Sequence, residues 1–294
     1  MGAPVGSQKE PAQTAGQPEP LTMPYFRCSD AHDVNRWDWG RPPVSTYVVC
    51  ASARAGSTWL CEELAWRGLA EPLEYLNPKY VKYFAWRWEC RNLAQYRVMM
   101  WRRRTSQDGR FGLKVLGMHF FDLYDDLFAT LLNEPPPHDP NMRRRVFLEK
   151  VVPDPTYVWL RRRDKHRQAV SLWLADSTAV WMQYSPEDPR EFGSLRYDFD
   201  AIDQRRRACE TEEALWERFF EETGIKPREL SYEDLLSNPG PLLGSLAADL
   251  GGSPERQAPP SDYRNHVQSN ASTEALVARY RSDLAAGRAP TSVS

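Results

Sequence analysis

The sequence predicts an α/β fold with a mainly parallel central sheet flanked by helices, and three observations predict it. Short runs of strand formers alternate with segments of helical periodicity. The first strand passes through small residues straight into a helix, the junction of a parallel strand-to-helix unit. An apolar fraction of 41% with eleven Trp is ample for burying one core in a chain of 294 residues. One domain over residues 41–285 is expected. Residues 1–40, rich in Gly, Ala, Pro and Gln at the start, read as a mostly disordered extension, and residues 286–294 as a flexible tail.

The elements follow in order. Residues 46–51 form a short strand after Pro42-Pro43, and residues 58–68 a helix in which Trp59, Leu60, Leu64 and Ala65 recur at helical spacing and Gly68 supplies a stop. Residues 75–100 mix Trp, Tyr and Arg without a clean period and read as helical insertion material over an acceptor site. A second strand is read at 111–116. Residues 133–141, with Pro135-Pro136-Pro137, read as a surface loop. A third strand at 156–160 leads through Arg161 to Asp164 into a helix at 166–176. A helix at 202–223, a strand at 228–232 and a helix at 241–250 complete the alternation.

Composition excludes several function classes. The net charge of −2 hides arginine clusters at 102–104, 143–145, 161–163 and 205–207, for which a solvated face and a local anion site are the two readings. Without a basic domain or a base-reading module, no nucleic-acid partner is expected. Five Cys with no C-x-x-C pair argue against a disulfide framework or zinc ribbon, and point to a reducing cytoplasm. The five His show no ligand spacing, so no metal is expected, and no apolar run approaches membrane-spanning length.

The most informative segment is Ser52-Ala53-Arg54-Ala55-Gly56-Ser57-Thr58-Trp59, between the first strand and the first helix. Small residues let backbone approach an oxyanion, the helix start offers N–H groups and a positive dipole end, and Ser57 and Thr58 add hydroxyls. Arg54 adds a fixed charge. No Gly-Lys-Ser or Gly-Lys-Thr occurs, which excludes the Walker A loop of nucleotide triphosphatases. Arg54 follows Cys50 by four positions, too few for a Cys-based phosphatase. Simple capping of the helix by Ser57 and Thr58 is the structural alternative.

Taken with Glu71-Pro72-Leu73-Glu74-Tyr75, with Arg162-Arg163-Asp164-Lys165 and Gln168-Ala169-Val170-Ser171, and with Trp181, Ser231-Tyr232-Glu233-Asp234-Leu235 and Ala278-Arg279-Tyr280-Arg281, this loop resembles the bacterial trehalose 2-sulfotransferase family from about residue 47 to 283. The resemblance implies a P-loop-like sulfotransferase fold and in-line transfer of a sulfuryl group from 3′-phosphoadenosine-5′-phosphosulfate (PAPS) to a hydroxyl of a small acceptor. It implies that Arg54, Ala55, Gly56, Ser57 and Thr58 hold the 5′-phosphosulfate end, and that Arg162 and Ser171 hold the 3′-phosphate. Arg161 and Arg163 are alternates to Arg162, since a one-residue shift of the strand end exchanges their directions.

By the same resemblance Glu74 is the general base, Glu71 and Tyr75 meet the acceptor, Arg54 stabilises the leaving nucleotide and Lys114 assists. Forked guanidinium recognition of phosphate and proton removal from a weakly nucleophilic hydroxyl fit these residue types. His266-Val267-Gln268-Ser269-Asn270 departs from the family's pattern, and Arg264 is the substitute on that side. The family implies a homodimer. The acceptor, whether sugar, lipid or phenolic, is left to the eight Trp, Tyr and Phe of residues 75–104. An unconventional kinase-like transferase and a non-catalytic nucleotide-binding module are the rival readings; the missing Gly-Lys pair weighs against the first and the paired glutamates against the second.

Overall fold

Strands β1 (Ser45–Ala51), β2 (Arg110–Leu116), β3 (Thr156–Arg161) and β4 (Arg228–Ser231) form one sheet in the order β2-β1-β3-β4, every neighbouring pair parallel. The computed structural model describes residues 39, 41–121, 137–181, 195–255 and 270–288. The expected N-terminal extension lies almost wholly outside the described residues, as does most of the C-terminal tail. β1 is buried from Thr46 onward because β2 and β3 pair on either side of it. Its Val48-Val49-Cys50 run is the continuous apolar pattern of a strand covered on both faces.

The helices whose two ends both lie among the described residues are α1 (Ser57–Ala65), α2 (Pro78–Arg87), α3 (Leu93–Arg104), α4 (Pro140–Val151), α5 (Lys165–Thr178), α6 (Phe199–Thr223), α7 (Tyr232–Ser237), α8 (Pro239–Asp249) and α9 (Ala271–Ala285). Local chemistry sets where most of them begin. Asn77, Asn92, Asp139, Asp164, Asp198, Ser231 and Asn270 each accept a first-turn N–H as N-cap. Pro78, Pro140 and Pro239 open their helices where a missing N–H costs nothing.

The strand and helix alternation read from sequence is the one observed, with ends displaced by a few residues. The insertion resolves into α2 and α3. The loop expected at 133–141 is shorter, because Pro140 and Asn141 already belong to α4; residues 133–136 lie outside the described residues. None of α4, α7 and α9 was expected, and Tyr232, read as the end of the fourth strand, opens α7. α9 buries only Thr273, Val277 and Tyr280, a stripe too narrow to announce a helix.

α6 crosses behind the sheet and carries the aromatic centre of the core. Trp216 stacks on Phe120 at 5.0 Å and packs against Phe219 and Phe220, and its indole N–H donates to the Ala51 carbonyl at 3.2 Å. A smaller apolar cluster joins α5, α6 and α9 through Val170, Trp173, Phe199, Ile202, Val277 and Tyr280. Among the described residues no helix is long and apolar enough to cross a membrane.

Candidate active site

The chain leaves β1 for β2 on one side and returns to β3 on the other, so the crevice beyond the carboxyl ends of β1 and β3 is the topological switch point where open α/β sheets bind ligands. The loop at 52–56 fills that position. Arg54 and Gly56 both take positive φ, 61° and 91°. At Gly56 any side chain is also excluded by contact, since a Cβ would sit 2.4 Å from Cδ2 of Tyr232. Gly56 is the N-cap of α1 and no side chain caps it, so the first N–H groups of α1 face the crevice without a side-chain acceptor.

The loop is anchored from behind. Buried Gln168 on α5 donates through Nε2 to Ser52 Oγ at 2.8 Å and to the Ala53 carbonyl at 2.7 Å. Glu212 on α6 accepts the Ala53 N–H at 3.4 Å. Ala55 and Ser57 are buried and Thr58 is half-buried at the mouth.

On the β3 side, pairing of Ala51 with Leu160 brings the two strand ends together. Arg161 turns to Glu213 at 2.9 Å and lies over Trp159, while exposed Arg163 pairs with Asp234 at 2.7 Å. Arg162 is the one directed at the loop. Its Nη1 donates to the Arg54 carbonyl at 2.9 Å and its guanidinium lies 4.7 Å above the Tyr232 ring. Its Nε is buried with no hydrogen-bond partner.

Burial holds the Arg162 pKa below the ordinary arginine value against the pull of Tyr232, Glu233 and Asp164, and an arginine so placed still carries its charge. Arg54 donates through Nε to Ser171 Oγ at 3.0 Å and through Nη1 to the Trp181 carbonyl. The loop, Arg162 and Ser171, expected to act together, are therefore in contact. Glu233 accepts the N–H groups of Arg163 and Asp164, each at 3.1 Å, and fixes the turn that aims Arg162.

On the β2 side, Leu73 pairs with Leu113 as an extra parallel rung, and the Lys114 N–H donates to the Leu73 carbonyl at 2.9 Å. This strap brings Glu74 to Lys114. Nζ lies 2.9 Å from Glu74 Oε1 and donates to Thr58 Oγ1 at 3.2 Å, and Asn77 Nδ2 donates to Glu74 Oε2 at 2.9 Å. Burial pushes the Glu74 carboxyl up, but Lys114, the Asn77 hydrogen bond and His119 together hold it below its ordinary value. Burial pulls Lys114 down, and Glu74 first, then Cys61 and Tyr80, raise it to a net value above the ordinary one. The pair is ionised at neutral pH. Cys61 beneath it is pushed up to about 12, chiefly by burial, and stays a neutral thiol.

Two expected acceptor residues are placed otherwise. Tyr75 is wholly buried: its ring packs on Phe111 and Phe84 and its hydroxyl donates to the Glu71 carbonyl at 2.6 Å. Glu71 keeps part of its side chain exposed, but its carboxylate meets buried Arg104 at 2.9 Å. Tyr75 thus supports the strap from within the core, while Glu71 is tied to Arg104 with part of its side chain open to the surface. The aromatic insertion is likewise mostly core, since Tyr83, Phe84, Trp88, Tyr96 and Trp101 are buried, while Tyr80 is half-buried and Trp86 exposed.

Sequence reasoning missed Asn77, Gln168 and Tyr232. Asn77-Pro78 reads as an ordinary helix start, and Gln168 and Tyr232 stand inside segments quoted for the family resemblance without a role attached. Arg264 lies outside the described residues, and Asn270 caps α9.

A family model described as Stf0 sulphotransferase matches residues 46–283. Trehalose 2-sulfotransferase of Mycobacterium tuberculosis (strain Erdman) is 26% identical over 260 residues, covering 82% of this chain and 96% of the relative. Trehalose 2-sulfotransferase of Mycolicibacterium smegmatis is 26% identical over 262 residues, covering 81% and 95%. Among solved structures, a sulfotransferase from Alicyclobacillus acidocaldarius is similar over 83% of this chain and 93% of its own, at 16% identity and a TM-score of 0.39.

Proposed function

Because the chain belongs to the Stf0 sulphotransferase family, we propose that it transfers a sulfuryl group from PAPS to a hydroxyl of a small acceptor, with Glu74 as general base. One observation carries this reading. Thr58 touches Lys114, which holds Glu74, while Arg54, four positions earlier on the same loop, touches Ser171 and Arg162. A carboxylate and a cation thus stand on one side of a single turn, and an arginine–serine cluster on the other. The residues suit a bisphosphate nucleotide: the α1 N-terminus lacks a side-chain cap, and the Arg162 guanidinium has a buried N–H still to be satisfied.

In this reading the donor supplies an activated sulfuryl group. The acceptor hydroxyl gives its proton to Glu74 as its oxygen bonds to sulfur, and the bond from sulfur to the phosphate oxygen breaks in line. Ionised Glu74 is in the state needed to take the proton, and such base assistance contributes about 10²-fold to 10⁴-fold. Lys114, rather than Arg54, is the cation we assign to the leaving oxygen, because it touches both Thr58 and Glu74. Arg54, Arg162 and Ser171 take the 3′-phosphate side. The names of the two mycobacterial relatives favour a carbohydrate hydroxyl, and half-buried Tyr80 on α2, the helix that follows the Glu74 turn, is a candidate aromatic face for it. The thiols of Cys50, Cys61, Cys90 and Cys209, all unpaired, suit a reducing cytoplasm.

The test is transfer of labelled sulfate from PAPS to trehalose and a panel of other hydroxylated acceptors, with Glu74→Gln as the comparison. The variant should bind adenosine 3′,5′-bisphosphate as the parent does and lose turnover about 10²-fold or more. Full turnover in Glu74→Gln removes Glu74 from the role of base. No heat on titration of the parent with the bisphosphate removes PAPS as donor.

A further inference from the structure

Beyond the last rung of β1 and β3, Ala51 with Leu160, the two chains part, one into the loop at 52–56 and the other into the turn that carries Arg162. Two side chains behind the crevice tie them together again. Gln168 on α5, fully buried, spends both amide hydrogens on the loop, at Ser52 Oγ and at the Ala53 carbonyl. A carbonyl can only accept and an ammonium can only donate, so the amide has one orientation, with Oε1 turned to Lys165 Nζ at 3.3 Å. Lys165 in turn donates to the Arg162 carbonyl at 2.6 Å and to Glu213 Oε2 at 2.5 Å, so its three hydrogens have three acceptors within the protein. The ring closes where Arg162 Nη1 donates to the Arg54 carbonyl at 2.9 Å.

We propose that Lys165 and Gln168 are positioning residues that fix the span between the loop and Arg162, and so make the site read both phosphates of one adenosine 3′,5′-bisphosphate together rather than either alone. The inference rests on the proposed donor. Arg162, and Arg54 with Ser171, also tie the loop to the β3 side, but the same reading assigns those groups to the phosphate. Lys165 and Gln168 have spent their donors on the protein, so they keep the frame while the others meet the ligand. What they hold needs holding. Arg54 sits at a positive φ of 61°, a state that a non-glycine residue keeps only where its surroundings impose it, and the carbonyl that Gln168 grips is the one just before it. A span set in advance spares the nucleotide the cost of ordering two separate anion sites.

Two substitutions take the relay apart. Lys165→Met and Gln168→Met keep an unbranched side chain of similar length and remove its hydrogen bonds. The first is the milder, because Glu213 retains Arg161 at 2.9 Å, and it carries the test should the second fold poorly. Binding of labelled adenosine 3′,5′-bisphosphate, and its displacement by adenosine 5′-phosphate and by adenosine 3′-phosphate, give three Kd values for each protein.

In both variants the bisphosphate should weaken by about 5-fold to 150-fold, the usual size of a coupling between two sites, while each monophosphate keeps the parent's Kd. Because the two residues act in series, the double variant should lose no more than the more affected single one. A loss shared equally by all three ligands makes the pair structural and overturns the proposal. So does a parental preference for the bisphosphate in Lys165→Met, whatever happens to its melting temperature, and additive losses in the double variant break the relay. If the parent does not bind the labelled bisphosphate, it is the donor assignment that has failed.

Discussion

Replacing Arg162 by Met separates a binding arginine from a structural one, because its contacts nearly cancel in the folded protein without ligand. The guanidinium gives one charged hydrogen bond to the Arg54 carbonyl and lies over Tyr232. Such contacts are worth about 1.5–3 kcal/mol and about 0.5–2 kcal/mol. Against them stand a buried Nε without a partner, costing about 1–3 kcal/mol, and the further cost of desolvating the charge. A Met of similar length fills the space without a polar group.

The two sides balance to within about 2 kcal/mol, which in a chain this size moves the melting temperature by less than about 8 °C. Toward a phosphate the balance is one-sided. Two charge-assisted hydrogen bonds at about 1.5–3 kcal/mol each correspond to a loss of about 100-fold or more in affinity for adenosine 3′,5′-bisphosphate. Calorimetry measures both quantities on the same samples. A melting temperature lowered well beyond that limit together with an unchanged Kd would make Arg162 a structural pillar and refute the reasoning.

Two further outcomes follow from the geometry. Gly56→Ala combines the left-handed backbone penalty of about 1–2 kcal/mol with the displacement of Tyr232 by a Cβ 2.4 Å away, about 1–3 kcal/mol more, so urea denaturation should show a loss of roughly 2–5 kcal/mol. Parental stability in that variant would mean that the loop relaxes freely. Asp203, buried in α6, accepts from Tyr280 at 2.7 Å and from Arg206 and Arg207 at 2.9 Å each; burial pushes its carboxyl up, and these partners outweigh burial and hold it below the ordinary value. A depressed carboxylate stabilises the fold above its unfolded pKa of about 3.9, and that contribution is lost as pH falls through the lower folded value. The melting-temperature gap between the parent and Asp203→Asn should therefore be widest near neutral pH and close on acidification below about pH 4. A gap that stays constant down to pH 3 would show that the Asp203 charge does not carry the effect.

The parts of the site that were legible in the sequence are those whose chemistry is local. A strand running through small residues into a helix is a backbone pattern, and the loop at 52–58 could be read from it before any contact was known. The direction of Arg162 follows from strand alternation once the end of β3 is fixed at Arg161, a one-residue matter that periodicity does not resolve. Tyr75 was not legible, because an aromatic in the core and one on a sugar-binding face are the same letter; only the packing of Phe84 and Phe111 around it decides. The contact of Arg54 with Ser171 spans 117 positions, and no local rule reaches that far. Asn77 carries two roles in one amide, and the capping role alone explains its presence in the sequence.

Charge pairing decides which cations the crevice can use. Arg161, Arg162, Arg163 and Lys165 follow one another beyond β3, yet Arg161 and Lys165 share Glu213 and Arg163 is paired with Asp234. Among the described residues Arg162 alone of the four makes no ion pair, its guanidinium meeting only a carbonyl and an aromatic face. Three of the four cations are thus tied to carboxylates, and the one left without an ion pair is the one that points at the loop. On the other flank Lys114 does have a carboxylate partner, and that partner is the proposed base. With β1 between β2 and β3, the flanking strands lie about 10 Å apart at the usual strand spacing. In the proposed mechanism Arg162 stays a fixed cation while Lys114 is released from Glu74 as that carboxylate takes the proton, so the charge that grips the nucleotide is present before the charge that stabilises its leaving oxygen.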